Sequence, residues 1–400
     1  MAIMKNQERN LCVVLPNNTQ LNITVGVKGR GQDVINKLSD LLDITELHLF
    51  GLSLIKDNQL LFLDLEQKLS MYLPKSWRKN TLKHKVVIHL RVQYFVENAN
   101  LILNDEACKL YYAEIKSRVL GSMCYDHEGL YFQLAAYALQ AELGDYKQGN
   151  IDQPQDFFPL WIIQRRGRDF ILEHTPALHK EITGMSSSKA ARLFIQNAFI
   201  LNDVPVTIYT LFKGKRKQGG VVLSLASTGL QISEMLNGEQ QFLYDLAWSS
   251  IHSITFQGRK LEICDDALHG GKVVFYSLSV LHAKHLLQHI SNNHRLHLNT
   301  KRMAIQCKET NETDTYREMY VTDDMNIEES DDELPPMKFL LANAKNILKD
   351  SDITMNSYGL EMSVDEPVEM LVDDPEDVLH LFELLEGESV DDPCTVYNFH

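Results

Sequence analysis

The sequence contains no apolar run approaching the roughly 18 residues that a membrane-spanning helix needs, and its opening MAIMKNQERN has no apolar signal region. Both absences predict a chain that stays in the cytosol. Cysteine is sparse: Cys12, Cys108, Cys124, Cys264, Cys307 and Cys394 are scattered without a CxxC pair, which argues against a disulfide framework and against a zinc site. They are expected as reduced thiols, mostly in cores. Catalytic signatures are missing too, with no P-loop, no GxGxxG after a strand, no HExxH and no GxSxG. His127 lies close to Cys124, but both belong to a helix start that packing explains. The chain reads as a non-enzyme that requires no cofactor.

Positive charge is scarce at one end only. Residues 301–400 hold 26 Asp and Glu against 7 Lys and Arg, so the overall charge of −15 conceals a mildly basic body of +4 over the first 300 residues. Such a division suits a folded body that meets anionic surfaces and an extended tail available to partners, or a tail that masks the body. At 400 residues the chain is too long for one ordinary core, and two or three domains are expected.

What is present is a change of period along the chain. Short apolar runs at 11–15 and 21–25 flank Pro16, Asn17 and Asn18, the composition of a hairpin turn. Val34, Ile35, Leu38, Leu41 and Leu42 then share one helix face, and strand-like runs follow at 47–55, 60–65 and 86–95. That order predicts a ubiquitin-like β-grasp lobe over 10–97. From 100 to 203 the pattern is helical, with Asn104 or Asp105 and Ser186 or Ser187 as N-caps and helices expected at 165–181 and 186–201. From 204 to 298 seven short alternating runs precede one helix at 279–292, the order of a PH- or PTB-like sandwich. Residues 299–400 are expected as a mostly disordered acidic tail, with a short amphipathic helix at 337–348.

The words LAAYALQAELGDY (134–146), HLFGLSLI (48–55) and LFLDLEQKL (61–69) resemble FERM domains, the membrane-to-cytoskeleton adaptors typified by ezrin, radixin and moesin. Within them, FFPLWIIQRRGRDFILEHTPALHK (157–180), HLLQHISNNHRLHLN (285–299) and EMLVDDP (369–375) resemble the willin subgroup, itself similar to Expanded. The resemblance implies an α+β, three-lobed architecture of β-grasp, helical acyl-CoA-binding-protein-like bundle and PH-like sandwich, followed by the tail. It also implies a scaffold at the cytoplasmic face of the plasma membrane and at cell junctions, in Hippo-type growth signalling. A FERM fragment or isoform of a larger signalling enzyme and a nuclear acidic-tail regulator are the rival readings.

Two sites follow from that resemblance. The loop holding Lys213, Lys215, Arg216 and Lys217, with Arg259 and Lys260 on the same lobe, offers cations for anionic phospholipid at about 1 kcal/mol each or a solvated hairpin tip. Ezrin-like pockets use lysines where this chain has Asp64 and Gln67, with Lys68 nearby, so half of that pocket has lost its charge. The second site is a groove between the strand at 251–256 and the final helix, where a membrane-protein tail or adaptor peptide can add a strand. Its candidate lining is His252, Ile254, Phe256, Leu281, Lys284, His285 and Gln288, with core packing an equal reading for Ile254 and Phe256. His282, His285 and His289 share a helix face; a metal there lacks a companion carboxylate or thiol, and a modest pH response is the better expectation. The tail lacks a basic actin-binding end and a PPxY string, and VYNFH is a poor PDZ ligand, so direct actin binding is not expected. Nothing in the sequence points to nucleic acid.

Overall fold

A computed structural model of the chain describes residues 8–44, 47–56, 59–79, 85–147, 153–216, 219–236, 239–265, 268, 270–318 and 394–398. In the first lobe, β1 (Glu8–Val14) and β2 (Gln20–Gly26) form a hairpin whose turn places Asn18 at φ 64°, a conformation asparagine tolerates. The helix α1 (Gly31–Leu42) buries Val34, Ile35 and Leu38. Then follow β3 (Phe50–Lys56), β4 (Gln59–Phe62), the one-turn α2 (Ser76–Lys79) and β5 (Val86–Val92). The sheet order β2-β1-β5-β3-β4, with β1 parallel to β5, is that of a β-grasp.

The second lobe contains α3 (Asp105–Gly121), α4 (Glu128–Leu143), α5 (Leu160–Arg166), α6 (Arg168–Glu181) and α7 (Ser187–Ala198). Asn104 and Ser186 cap α3 and α7 by accepting from Ala107 N and Lys189 N. The helix expected from 165 onward is broken, because Gly167 adopts φ 81° between α5 and α6. At the end of α4, Gly144 has φ 73° and ψ −152°, a region essentially reserved for glycine.

The third lobe runs β6 (Val206–Phe212), β7 (Gly220–Ala226), β8 (Gly229–Leu236), β9 (Glu239–Ala247), β10 (Ile251–Gln257), β11 (Lys260–Asp265) and β12 (Lys272–Tyr276). These seven strands form two antiparallel groups joined at a corner where the described β12 to β6 register is the single pair Tyr276 and Phe212. The final helix α8 (Val280–Glu318) packs Ala283, Leu286, Leu287 and Ile290 against Ile254 and Phe256. It extends well past the expected end near residue 292. A strand β13 (Cys394–Asn398) pairs antiparallel with β10. Residues 299–318 and 394–398 therefore have regular structure within the segment expected as disordered tail, whereas the helix expected at 337–348 lies outside the described residues.

Two polar devices fix the lobes. Glu114 on α3 is only 5 % exposed and accepts from Arg91 of the first lobe and Arg118 of its own helix, each at 3.0 Å. Arg118 also donates to Val206 O at 2.7 Å at the start of the third lobe and stacks over Phe95. One buried carboxylate thus ties three lobes together. Burying it requires both guanidiniums, since an unpaired buried charge would cost several kcal/mol. The second device is a seam around α8, where His289 Nε2 donates to Gln93 O at 2.9 Å and its bare Nδ1 accepts from Tyr209 Oη at 2.5 Å. Phe62 and Tyr94 meet the same ring edge to face, and Asn292 donates to Tyr94 Oη at 3.0 Å.

Candidate functional site

The strand β10 would be a bare edge of the third lobe. It has β11 on one side, and the other side holds β13 in the register Ser253 to Asn398 through Gln257 to Cys394. An edge of unpaired N–H and C=O groups is a template for strand addition, and here residues of the same chain supply the strand. The chain itself thus performs the pairing that the sequence reading assigned to an external peptide.

The proposed lining residues divide into three groups. Ile254 and Phe256 are buried and belong to the core under α8, as strand alternation requires. His252 is exposed on β10, whereas Leu281, Lys284 and Gln288 lie half-buried along α8, with Gln288 donating to Asn292. His285 is buried beside His289, and its ring is influenced by Asp64 of the first lobe, which places it at the seam rather than in an open groove. His282 stacks obliquely on Tyr209.

Burial lowers the histidines' affinity for protons: His282 and His285 fall to about 4 and His289 to about 3. Geometry gives a second reason for His289. Its neutral Nε2–H tautomer satisfies both neighbours, whereas a proton on Nδ1 would face the Tyr209 hydroxyl as a second donor. Among the described residues no group of three or more His, Cys, Asp or Glu could hold a metal. The Cys124 thiol donates to Asp203 Oδ1 at 3.1 Å, and burial with that carboxylate holds it protonated, which suits a packed thiol rather than a nucleophile.

The basic residues are less available than their sequence suggests. Lys213 pairs with Glu234 at 2.6 Å, and Lys260 pairs with Glu262 at 2.6 Å, where Lys272 also joins at 3.3 Å. Arg259 donates to Ser277 O and to Lys215 O, so it braces the loop from behind. Lys215 and Arg216 remain exposed, and Lys217 lies outside the described residues. In the first lobe the Asp64 N–H donates to Tyr72 Oη, and Lys68 forms an isolated bridge with Arg30.

Sequence reasoning missed the polar network beneath the most family-like words. Gln140 on α4 is buried and donates to Asp145 Oδ1 at 2.9 Å and Met185 O at 2.7 Å, while its Oε1 meets His179 Nε2 at 3.1 Å. His179 also contacts Gly144 O, and Asp145 accepts from Gly184 N at 2.7 Å. The only sequence signal for it was a glutamine interrupting an apolar helix face.

Comparison with known proteins agrees with this geometry. Profiles of the FERM N-terminal, FERM central and FERM C-terminal PH-like domains match residues 13–75, 97–209 and 215–305. Human tyrosine-protein phosphatase non-receptor type 13 is 25 % identical over 303 residues, covering 71 % of this chain and 12 % of that protein. Protein expanded of Drosophila melanogaster is 24 % identical over 295 residues, covering 54 % and 20 %. The chain thus spans about an eighth of the phosphatase's length and a fifth of Expanded's. The crystal structure of the complex of the FERM and C-terminal domains of Drosophila Merlin superposes with a TM-score of 0.59 at 18 % identity, covering 74 % of this chain and 98 % of that one.

Proposed function

This chain belongs to the family of FERM-domain proteins, and on that premise we propose that it is a non-enzymatic scaffold whose third lobe takes extended peptides along β10. The observation that carries the reading is the antiparallel seating of 394–398 on that strand. Partners of this chemistry are cytoplasmic tails of membrane proteins or adaptor segments able to extend a sheet. The peripheral plasma membrane and cell junctions, and growth control of the Hippo type, are the setting we propose from its likeness to Expanded. Anionic lipid is a secondary contact in this scheme, resting on Lys215 and Arg216 because Lys213 and Lys260 are already paired.

A competition measurement tests the reading. The closed segment between α8 and β13 keeps the chain's own strand at an effective concentration of about millimolar order. A labelled peptide of residues 391–400 should therefore bind the full-length Tyr397→Pro variant about tenfold or more tightly than the wild type, since Tyr397 pairs with Ile254, whose backbone groups face β13, and proline there removes a ladder donor. Equal or absent binding in both proteins would reject β10 as the peptide edge.

A further inference from the structure

An open sheet must protect its edges from further pairing, usually with charge, proline, a bulge or a cover. Among the described strands, β4 meets β6 of the third lobe and β10 is covered by β13. The edge strand β9 carries a bulge at Leu243, together with Glu239 and Asp245. β2 has none of these devices. Its sequence QLNITVG holds no charge and no proline, its register with β1 is unbroken, and it ends the first sheet.

The hairpin fixes which backbone groups of β2 look outward. Leu15 N donates to Thr19 O, so the residues bonded to β1 are Leu21, Ile23 and Val25, and the groups of Gln20, Asn22, Thr24 and Gly26 point away from it. Thr24 O accepts from Lys37 Nζ and Gly26 O from Gly29 N, each carbonyl keeping a second lone pair. The Lys37 bond also identifies the flank of α1 that lines this edge. The chain reverses between β2 and α1, and four helix residues advance about as far as two strand residues. Asp40 and Leu41 therefore lie level with Asn22. Both are exposed, Leu41 to 61 %.

We propose that two copies of this chain pair β2 to β2, antiparallel about a twofold axis at Ile23, into one continuous sheet. In that register Asn22 faces Thr24 of the other copy and Gln20 faces Gly26, so every outward position is used. The same axis brings Lys37 of each copy level with Asp40 of the other, beside the two Leu41 side chains. A strand without charge imposes no repulsion on its own copy, and a lysine and an aspartate on one flank are complementary to themselves turned through half a circle. A partner of one charge sign would satisfy only one of them. Of the other charges near this edge, Arg30 is paired with Glu66, Asp33 accepts from the Arg30 N–H, and Lys28 falls level with the uncharged residues 18–20 of the other copy. The contact lies on the first lobe and leaves β10 unchanged.

The test is sedimentation equilibrium of the full-length chain at micromolar concentrations, where a reversible dimer is expected. Asn22→Pro removes an outward N–H without touching the ladder to β1 and should weaken the dimer about tenfold or more. Asn22→Lys, which leaves the backbone free to adopt the same strand, should weaken it similarly by adding like charge to the edge. Lys37→Asp should weaken it about fivefold, and Lys37→Asp/Asp40→Lys should restore it. Tyr397→Pro, which opens the β10 edge, should leave the dimer intact, so this contact and strand addition at β10 fail separately. A monomer at every concentration, or a dimer indifferent to both Asn22 variants, would overturn the proposal. So would a charge swap that restores nothing, or a dimer lost in Tyr397→Pro, the sign of β13 exchanged between copies.

Discussion

Acidification should release the seam between the first and third lobes before the carboxylates elsewhere respond. In the folded chain His282, His285 and His289 are neutral, with proton affinities lowered to about 4, about 4 and about 3 from 6.5. The unfolded chain binds these protons as pH drops below 6.5, while the folded chain does not, so stability falls with falling pH. At pH 5 the linkage relation gives a loss of about 2 kcal/mol for each histidine relative to pH 7.5, or about 6 kcal/mol for the three. Against a typical total of about 5–15 kcal/mol, that loss is decisive. The groups facing the cluster are Asp64, which favours a proton on His285, and Tyr94 and Tyr209, which burial holds in the neutral form. His48 and His294, both lowered to about 4, act in the same direction, so the seam must be isolated by substitution. His289→Gln can keep a donor for Gln93 O and an acceptor for Tyr209 but cannot titrate. Urea unfolding of the full chain at pH 7.5, 6 and 5 should show a falling midpoint. The variant should lose about 2 kcal/mol of that dependence between pH 7.5 and 5. A midpoint constant from pH 7.5 to 5, or an identical pH slope in the variant, would refute the reasoning.

Three other perturbations have defined outcomes. Glu114→Ala leaves Arg91 and Arg118 without their shared buried carboxylate. It should cost about 3–5 kcal/mol in chemical denaturation, with loss of cooperativity among the lobes. Gly144→Ala meets no atom within 4 Å, so its penalty is backbone strain alone, about 1–3 kcal/mol by thermal unfolding. In liposome flotation with phosphoinositide, Lys215→Gln/Arg216→Gln should weaken binding by about 2 kcal/mol, whereas Lys213→Gln, which removes a cation already paired with Glu234, should change it little.

Much of the architecture was legible in the sequence because each lobe has its own hydrophobic period. Alternation over β6 to β12 and the helical spacing of Val34, Ile35 and Leu38 are local signals, and local signals survive into the fold. The break at Gly167 was less visible, since α5 and α6 read as one apolar-periodic stretch until the glycine takes positive φ. The site was legible only in outline. His285 shares a helix face with groove candidates, but which neighbour that face meets depends on how the first lobe docks, and no period along α8 encodes it. The Lys213 loop reads as four free cations, yet Glu234 lies two strands away in the sheet. Pairing across strands is a tertiary fact. VYNFH, dismissed as a terminal ligand for other domains, includes part of β13, a strand for the chain's own sheet.

The central claim, that β10 is an edge built to receive an added strand, is tested most directly by hydrogen exchange on the full-length protein. Wild type should protect the amides of 251–257 on both sides of the strand, those facing β11 and those facing β13. Tyr397→Pro should lose protection at alternate β10 amides while those bonded to β11 stay slow, and an added peptide of residues 391–400 should restore the pattern. Uniform protection unaffected by Tyr397→Pro would contradict the account.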